Sequence, residues 1–143
     1  MTDTHIIALG GGGFSMENSP LLDDYIISIS GEKNPRICFI PTACGDADSY
    51  SIRFYRRFAS VGCYAFDLQL VRRQISDLES FILSMDILYV GGGNTANMLA
   101  IWREHGVDTI LKKHGYPARY SVEYRPVQFA GSNTELPIRL VQD

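Results

Sequence analysis

Gly91-Gly92-Gly93-Asn94-Thr95 is the segment best placed to do chemistry. It follows an apolar run, Asp86 to Val90, and precedes Met98, Leu99 and Trp102 at helical spacing. A strand-to-helix junction of this kind presents backbone N–H groups at a helix start. There they stabilise an anion or a developing oxyanion. The plainer alternative is a glycine turn that only lets strand and helix pack closely. Gly10 to Gly13 also follows an apolar run, His5 to Leu9, and is compatible with a phosphate-binding turn. Phe14 to Asn18 separate it from the next helix, however, and no GK[ST] follows, which excludes a Walker loop. A plain tight turn is the simpler reading there.

The remaining reactive side chains are poorly organised. Cys44 and Cys63 are conceivable nucleophiles, but neither sits in an elbow or near a base in sequence. Incidental thiols are the simpler reading. Cys38, Cys44 and Cys63 show no CxxC or Cys/His zinc spacing, and His5, His105 and His114 have no metal partner at usable spacing. No metal and no cofactor is therefore expected. Arg53, Arg56 and Arg57 read as the solvated face of a helix, with contact to a substrate carboxylate as a secondary option.

The elements that must position the glycines alternate regularly. His5 to Leu9 reads as a buried strand. Ser19 caps a helix with Pro20 at its first position, carrying Leu21, Leu22, Tyr25, Ile26 and Ile29 up to Gly31. Arg36 to Ile40 is a second buried strand, ended by Pro41-Thr42. Asp48 or Ser49 caps a helix with Ile52, Tyr55, Phe58 and Ala59 on its apolar side, ended by Gly62. Tyr64 to Val71 alternates apolar and polar residues, which places this strand near a sheet edge. Ser76 caps a short helix through Leu78, Phe81 and Ile82. Asp86 to Val90 is the fourth strand, and the helix after the triglycine is interrupted at Gly106. Repeated strand and helix with short links imply an α/β fold, an open and mainly parallel sheet with crossover helices. Ligands in such folds bind beyond the carboxyl ends of the strands, where Gly10–Gly13, Pro41-Thr42-Ala43 and Gly91–Gly93 should converge. From His114 to Asp143 no helical period and no strand is discernible, and three of the six prolines, Pro117, Pro126 and Pro137, lie there.

The chain has 143 residues, 13 Lys+Arg against 16 Asp+Glu, a net charge of -3, and 45% hydrophobic residues. That length suits one domain. The weakly acidic balance gives no electrostatic reason to bind nucleic acid or an anionic membrane. No apolar run reaches the roughly 18 residues of a membrane span. Met1 to Gly13 has no signal-peptide pattern, and an odd number of unpatterned cysteines fits reduced thiols, so a cytoplasmic protein is expected.

Three stretches together carry a family resemblance. They are Ile37-Cys38-Phe39-Ile40-Pro41-Thr42-Ala43, Gly45-Asp46-Ala47-Asp48-Ser49-Tyr50, and Leu88-Tyr89-Val90-Gly91-Gly92-Gly93-Asn94-Thr95. They resemble peptidase E, the serine peptidases of family S51, over roughly Met1 to Lys113. The resemblance implies a class I glutamine amidotransferase-like fold and hydrolysis of Asp-containing dipeptides, or of aspartyl-arginine polymers in cyanophycinase. It also implies a nucleophilic serine in an S-A-G-S elbow after the next strand, with a histidine later. The residues it leaves for oxyanion or substrate binding are Gly91, Gly92, Gly93, Asn94 and Thr95.

The departure from the family falls at the chemistry. No S-A-G occurs anywhere in the chain, so no catalytic residue is assigned. Starting each codon of the C-terminal segment at its third base permits V-S-A-G-S from Glu123 onward, then a stretch with a histidine. The same shifted frame permits A-W at Lys113 to Gly115. A single-base loss in the codons of Lys112-Lys113 accounts for this. The expected organisation is a peptidase E-like unit over 1–113, incomplete at its C-terminal side, followed by an irregular or disordered tail over 114–143. The sheet is then expected to end at the fourth strand, with an open edge. The leading expectation is an inactive, frameshifted peptidase of this family. The alternatives are a small anion-binding α/β module and a competent peptidase with an unrecognised nucleophile.

Overall fold

The computed structural model describes residues 5–9, 13–15, 20–113 and 119–123. Five strands, β1 (Ile6–Leu9), β2 (Arg36–Ile40), β3 (Tyr64–Asp67), β4 (Ile87–Val90) and β5 (Arg119–Glu123), form one sheet in the order β1-β5-β4-β2-β3. Every pairing is parallel. Five helices accompany them among the described residues: α1 (Leu21–Ile29), α2 (Asp48–Ser60), α3 (Leu78–Leu83), α4 (Thr95–His105) and α5 (Val107–Lys113). The open parallel α/β architecture expected from the alternating pattern is the one observed.

Strand side chains alternate between two cores, as the period of two requires. Ile37, Phe39, Ile87 and Tyr89 face one way and pack with Leu9, Ile26, Phe54 and Phe58. Cys38, Ile40, Leu88 and Val90 face the other and pack with Leu78, Ile82, Met98, Trp102 and Val107. Helices α1 and α2 therefore cover one face, and α3, α4 and α5 the other. Both faces of β2 and β4 are buried, which is why these strands read as continuous apolar runs. On the α1–α2 side the filling is aromatic. Phe39 stacks on Phe54 at 5.1 Å, and Phe14 meets Phe39 edge-on at 5.3 Å and Tyr89 at 5.2 Å. Such geometries add to area burial by matching ring edges to ring faces.

Several local expectations need correction. The segment after His114 does contain a strand: β5 inserts between β1 and β4, so the sheet does not end at the fourth strand. The rest of 114–143 lies outside the described residues. A strand paired on both sides draws its stability from its neighbours' backbone, which a weak local pattern does not disclose. Helix α1 begins at Leu21, with Pro20 at the cap position and no side-chain cap, while Ser19 lies outside the described residues. Asp77, not Ser76, caps α3, accepting from the Ser80 amide at 3.0 Å and the Ser80 hydroxyl at 2.7 Å. Those bonds hold its carboxyl below the ordinary carboxylate range. Strand β3 stops at Asp67, short of Val71, but its place at the sheet edge is as expected.

The largest correction concerns α2. Its buried residues are Ser51, Phe54 and Phe58, while Ile52 and Tyr55 are exposed. Arg57 is also not a solvated cation. It crosses to α1, where its Nε lies 3.3 Å from Asp23 Oδ2 and its Nη2 pairs with Asp24. Asp23 itself is only 2% exposed, and its Oδ1 finds no partner among the described residues. Burial raises the Asp23 pKa above its ordinary value, against the opposing pull of Arg57. Desolvation thus outweighs the ion pair here. A carboxyl that holds its proton more tightly when folded favours the native state most at low pH. That contribution declines as pH rises from about 4, the unfolded value, through the raised native value, and is then constant. Asp23→Asn should therefore flatten this decline. Urea unfolding at a series of pH values checks it, with the wild-type advantage over the variant shrinking across that window.

Candidate active site

All five strands run the same way, so their carboxyl ends share one edge of the sheet. At that edge β2 runs into Pro41 and a single 3₁₀ turn, Thr42–Cys44, while β4 runs into Gly91-Gly92-Gly93. The two loops meet. The Asn94 amide donates to the Ala43 carbonyl at 2.8 Å, and the Gly91 amide donates to the Ile40 carbonyl at 3.1 Å. Gly13, at the end of the N-terminal glycine run, lies against the Tyr89 ring and the Asp23 carboxylate. Gly10 to Gly12 lie outside the described residues.

Two of the three glycines are demanded by close approach. A Cβ on Gly93 would lie 2.2 Å from the Ala43 carbonyl oxygen, and its φ of +144° disfavours any side chain. A Cβ on Gly91 would lie 2.8 Å from the Phe39 ring. Close packing and anion binding are thus not exclusive readings of this segment: the packing sets where the amides sit.

The structure divides the five expected binding residues by role. Asn94 is the N-cap of α4, its side-chain oxygen accepting from the Asn97 amide at 3.0 Å. Its side chain and its own amide are therefore both engaged. Gly91 also spends its amide within the fold. The amides of Gly92, Gly93 and Thr95 find no acceptor among the described residues. They lie at or beside the positive end of an 11-residue helix, where donors of this kind favour negative charge.

The turn that carries Ala43 is itself held at both ends. Trp102 Nε1 donates to Thr42 Oγ1 at 3.2 Å, with both residues buried. Farther on, Asp46 sits at a φ of +55°, buried, and accepts from the Val71 amide at 2.7 Å and the Arg72 amide at 3.3 Å. Trp102, Val71 and Arg72 were not singled out as site residues from the sequence, and Val71 and Arg72 carry no signal for such a role. The one tryptophan of the chain was a usable signal, because a buried indole N–H needs an acceptor. The Ala43 carbonyl left no signal at all.

Of the other candidate groups within the described residues, Cys44 is brought to this edge, while Cys38, Cys63, His5 and His105 lie away from it. Cys38 is fully buried, and burial pushes its thiol far above the usual range. Burial likewise raises the Cys63 thiol. Cys44 lies in the 3₁₀ turn with its Sγ 3.1 Å from the Pro41 carbonyl oxygen. His105 ends α4, 3.4 Å from Arg73. No group of three metal-ligating side chains occurs among the described residues.

Placing a methyl group at Gly93 forces the Ala43 carbonyl away. Gly93→Ala should cost more than about 2 kcal/mol from backbone strain and overpacking. Gly106→Ala is the control: that residue also has a positive φ, of +74°, but nothing lies within 4 Å of its added Cβ. Its cost should be about 1 kcal/mol, that of the left-handed backbone alone. Paired denaturation curves give the comparison.

Known proteins match this arrangement over most of the chain. The profile of peptidase family S51 matches residues 6–118. An uncharacterised peptidase, YgaJ, of Bacillus subtilis (strain 168) is 52% identical over 109 residues, covering 76% of this chain and 47% of that protein. A crystal structure from Listeria monocytogenes EGD-e, assigned as a peptidase E protein, superimposes with a TM-score of 0.62 at 16% identity. It covers 85% of this chain and 58% of that one. That likeness extends to the glutamine amidotransferase-like fold, and this chain spans about half the length of both proteins. With the family profile spanning strands β1 to β4, the 3₁₀ turn and the triglycine loop, the chain belongs to peptidase family S51.

Proposed function

We propose that this chain derives from a serine peptidase acting on Asp-containing dipeptides, and that it keeps the anion-stabilising part of the site without the nucleophilic part. The observation that carries this reading is the pair of amides, Gly92 and Gly93, held at the β4–α4 junction with no acceptor among the described residues. Donors preset in this way stabilise the negative oxygen that forms when an acyl carbon becomes tetrahedral. Each contributes about 2.7–4 kcal/mol to a barrier in enzymes of this chemistry. Forming that oxygen needs a hydroxyl on a strained turn and an imidazole to take its proton.

The family expectation puts the serine elbow after the strand that follows β4. Here that strand is β5, between β1 and β4. In this sequence it leads into Tyr124-Arg125-Pro126 rather than S-A-G-S. On this reading the division at Lys113 is a change of reading frame, and β5, which lies beyond it, still pairs with β1 and β4. The substrate partner by lineage is a small acidic peptide, and the chemistry calls for no metal or cofactor. Cysteines that form no disulfide among the described residues suit a reducing cytoplasm. No described helix is long and apolar enough to cross a membrane.

The purified 143-residue chain should not turn over an aspartyl dipeptide. A gene with one base restored in the Lys112-Lys113 codons should encode a chain that does, with activity abolished by a serine-directed reagent. Turnover by the 143-residue chain that such a reagent removes would overturn the loss of the nucleophile. A restored chain without turnover would remove the lineage reading.

A further inference from the structure

We propose that Thr42 and Trp102 are positioning residues for the amide cradle, acting through the Ala43 carbonyl; the inference rests on the cradle reading above. The chain of contacts is short and continuous. Trp102, on the third turn of α4, donates its indole N–H to the Thr42 hydroxyl at 3.2 Å. Thr42 opens the 3₁₀ turn, whose next residue presents its carbonyl to the Asn94 amide at 2.8 Å. Gly93 packs against that same carbonyl with no room for a Cβ. The Ala43 carbonyl therefore decides where the Gly93–Asn94 peptide lies, and the bond between Trp102 and Thr42 decides where Ala43 lies.

Both partners are nearly out of water, Trp102 at 7% and Thr42 at 2% exposure, so breaking the bond leaves a buried donor unsatisfied. The bond also closes a loop within one helix. Asn94 caps α4 at one end of the contact and Trp102 lies on the same helix, so the 3₁₀ turn is gripped by α4 at two points. Movement of the helix thus carries the turn and the cradle together. A hydrophobic contact at Thr42 would fill the space without fixing the rotation of the turn. The hydroxyl is what supplies direction.

The test is Thr42→Val, which keeps volume and removes the acceptor, with Thr42→Ser as the conservative restoration. Trp102→Phe, which removes the donor, serves if the first variant does not fold. Amide hydrogen exchange is read residue by residue on the full chain. Exchange at Asn94 should rise about tenfold, the effect of losing one buried hydrogen bond, while Cys38 and Leu88 at the sheet centre keep their protection. Thr42→Ser should return Asn94 to the wild-type rate. An unchanged Asn94, or an equal rise at Cys38 and Leu88, overturns the positioning role. Titration with methylphosphonate, followed at the Gly92 and Gly93 amide resonances, tests the cradle separately. Shifts in the wild type that weaken in Thr42→Val support both readings. A wild type that shows no shift removes the cradle, while the exchange result still decides the role of Thr42. Equal shifts in wild type and Thr42→Val overturn the positioning role alone.

Discussion

The carbonyl of Ala43 is the contact on which the site depends. It accepts the Asn94 amide, and it occupies the space that any side chain at residue 93 would need. One backbone group thus caps the approach to α4 and dictates a glycine. Because β2 and β4 are adjacent and parallel, with Ile40 opposite Val90, their ends deliver the 3₁₀ turn and the triglycine loop to the same point. The sheet register does the coarse placement. The Ala43 contact does the fine placement, at the scale of a hydrogen bond.

Much of this frame was legible from glycine, proline and apolar runs. Strands buried on both faces announced themselves as unbroken apolar stretches, as at Ile37 to Ile40 and Ile87 to Val90. Gly31, Gly62 and Gly106 marked ends because each takes a positive φ, and the triglycine marked the junction of β4 and α4. What stayed hidden depends on partners distant in the chain. Arg57 looked solvated because Asp23 lies 34 residues away and only the packing of α1 on α2 joins them. Phe54 is hidden behind Ile52 and Tyr55 because two apolar stripes compete on α2, and packing on Phe39 of β2 and Tyr89 of β4 buries the one that carries Phe54. Strand β5 was missed because its neighbours, not its own composition, make it a strand. In the candidate site the glycines were visible and the carbonyl that positions them was not, since every residue type carries a carbonyl.

The likeness to family S51 covers the 3₁₀ turn and the triglycine loop. Identity of 52% to the Bacillus protein runs over 109 residues, while the Listeria structure shares the fold at 16%. The fold therefore tolerates wide change in sequence. What persists between such distant chains is a parallel sheet with its loops gathered at one edge, a scaffold on which chemistry is set by a few residues.

Strand β5 has one more implication, for the order in which the molecule is made. It is the last of the described strands, yet it lies between the first of them and the fourth. Ile6 pairs with Tyr120, and β1 has no other neighbour among the described strands. During synthesis β1 therefore emerges from the ribosome well before β5, the described strand it pairs with. It waits until nearly the whole sheet has left the exit tunnel. A long-range closure of this kind slows folding and leaves a nascent apolar segment as a natural client for chaperones.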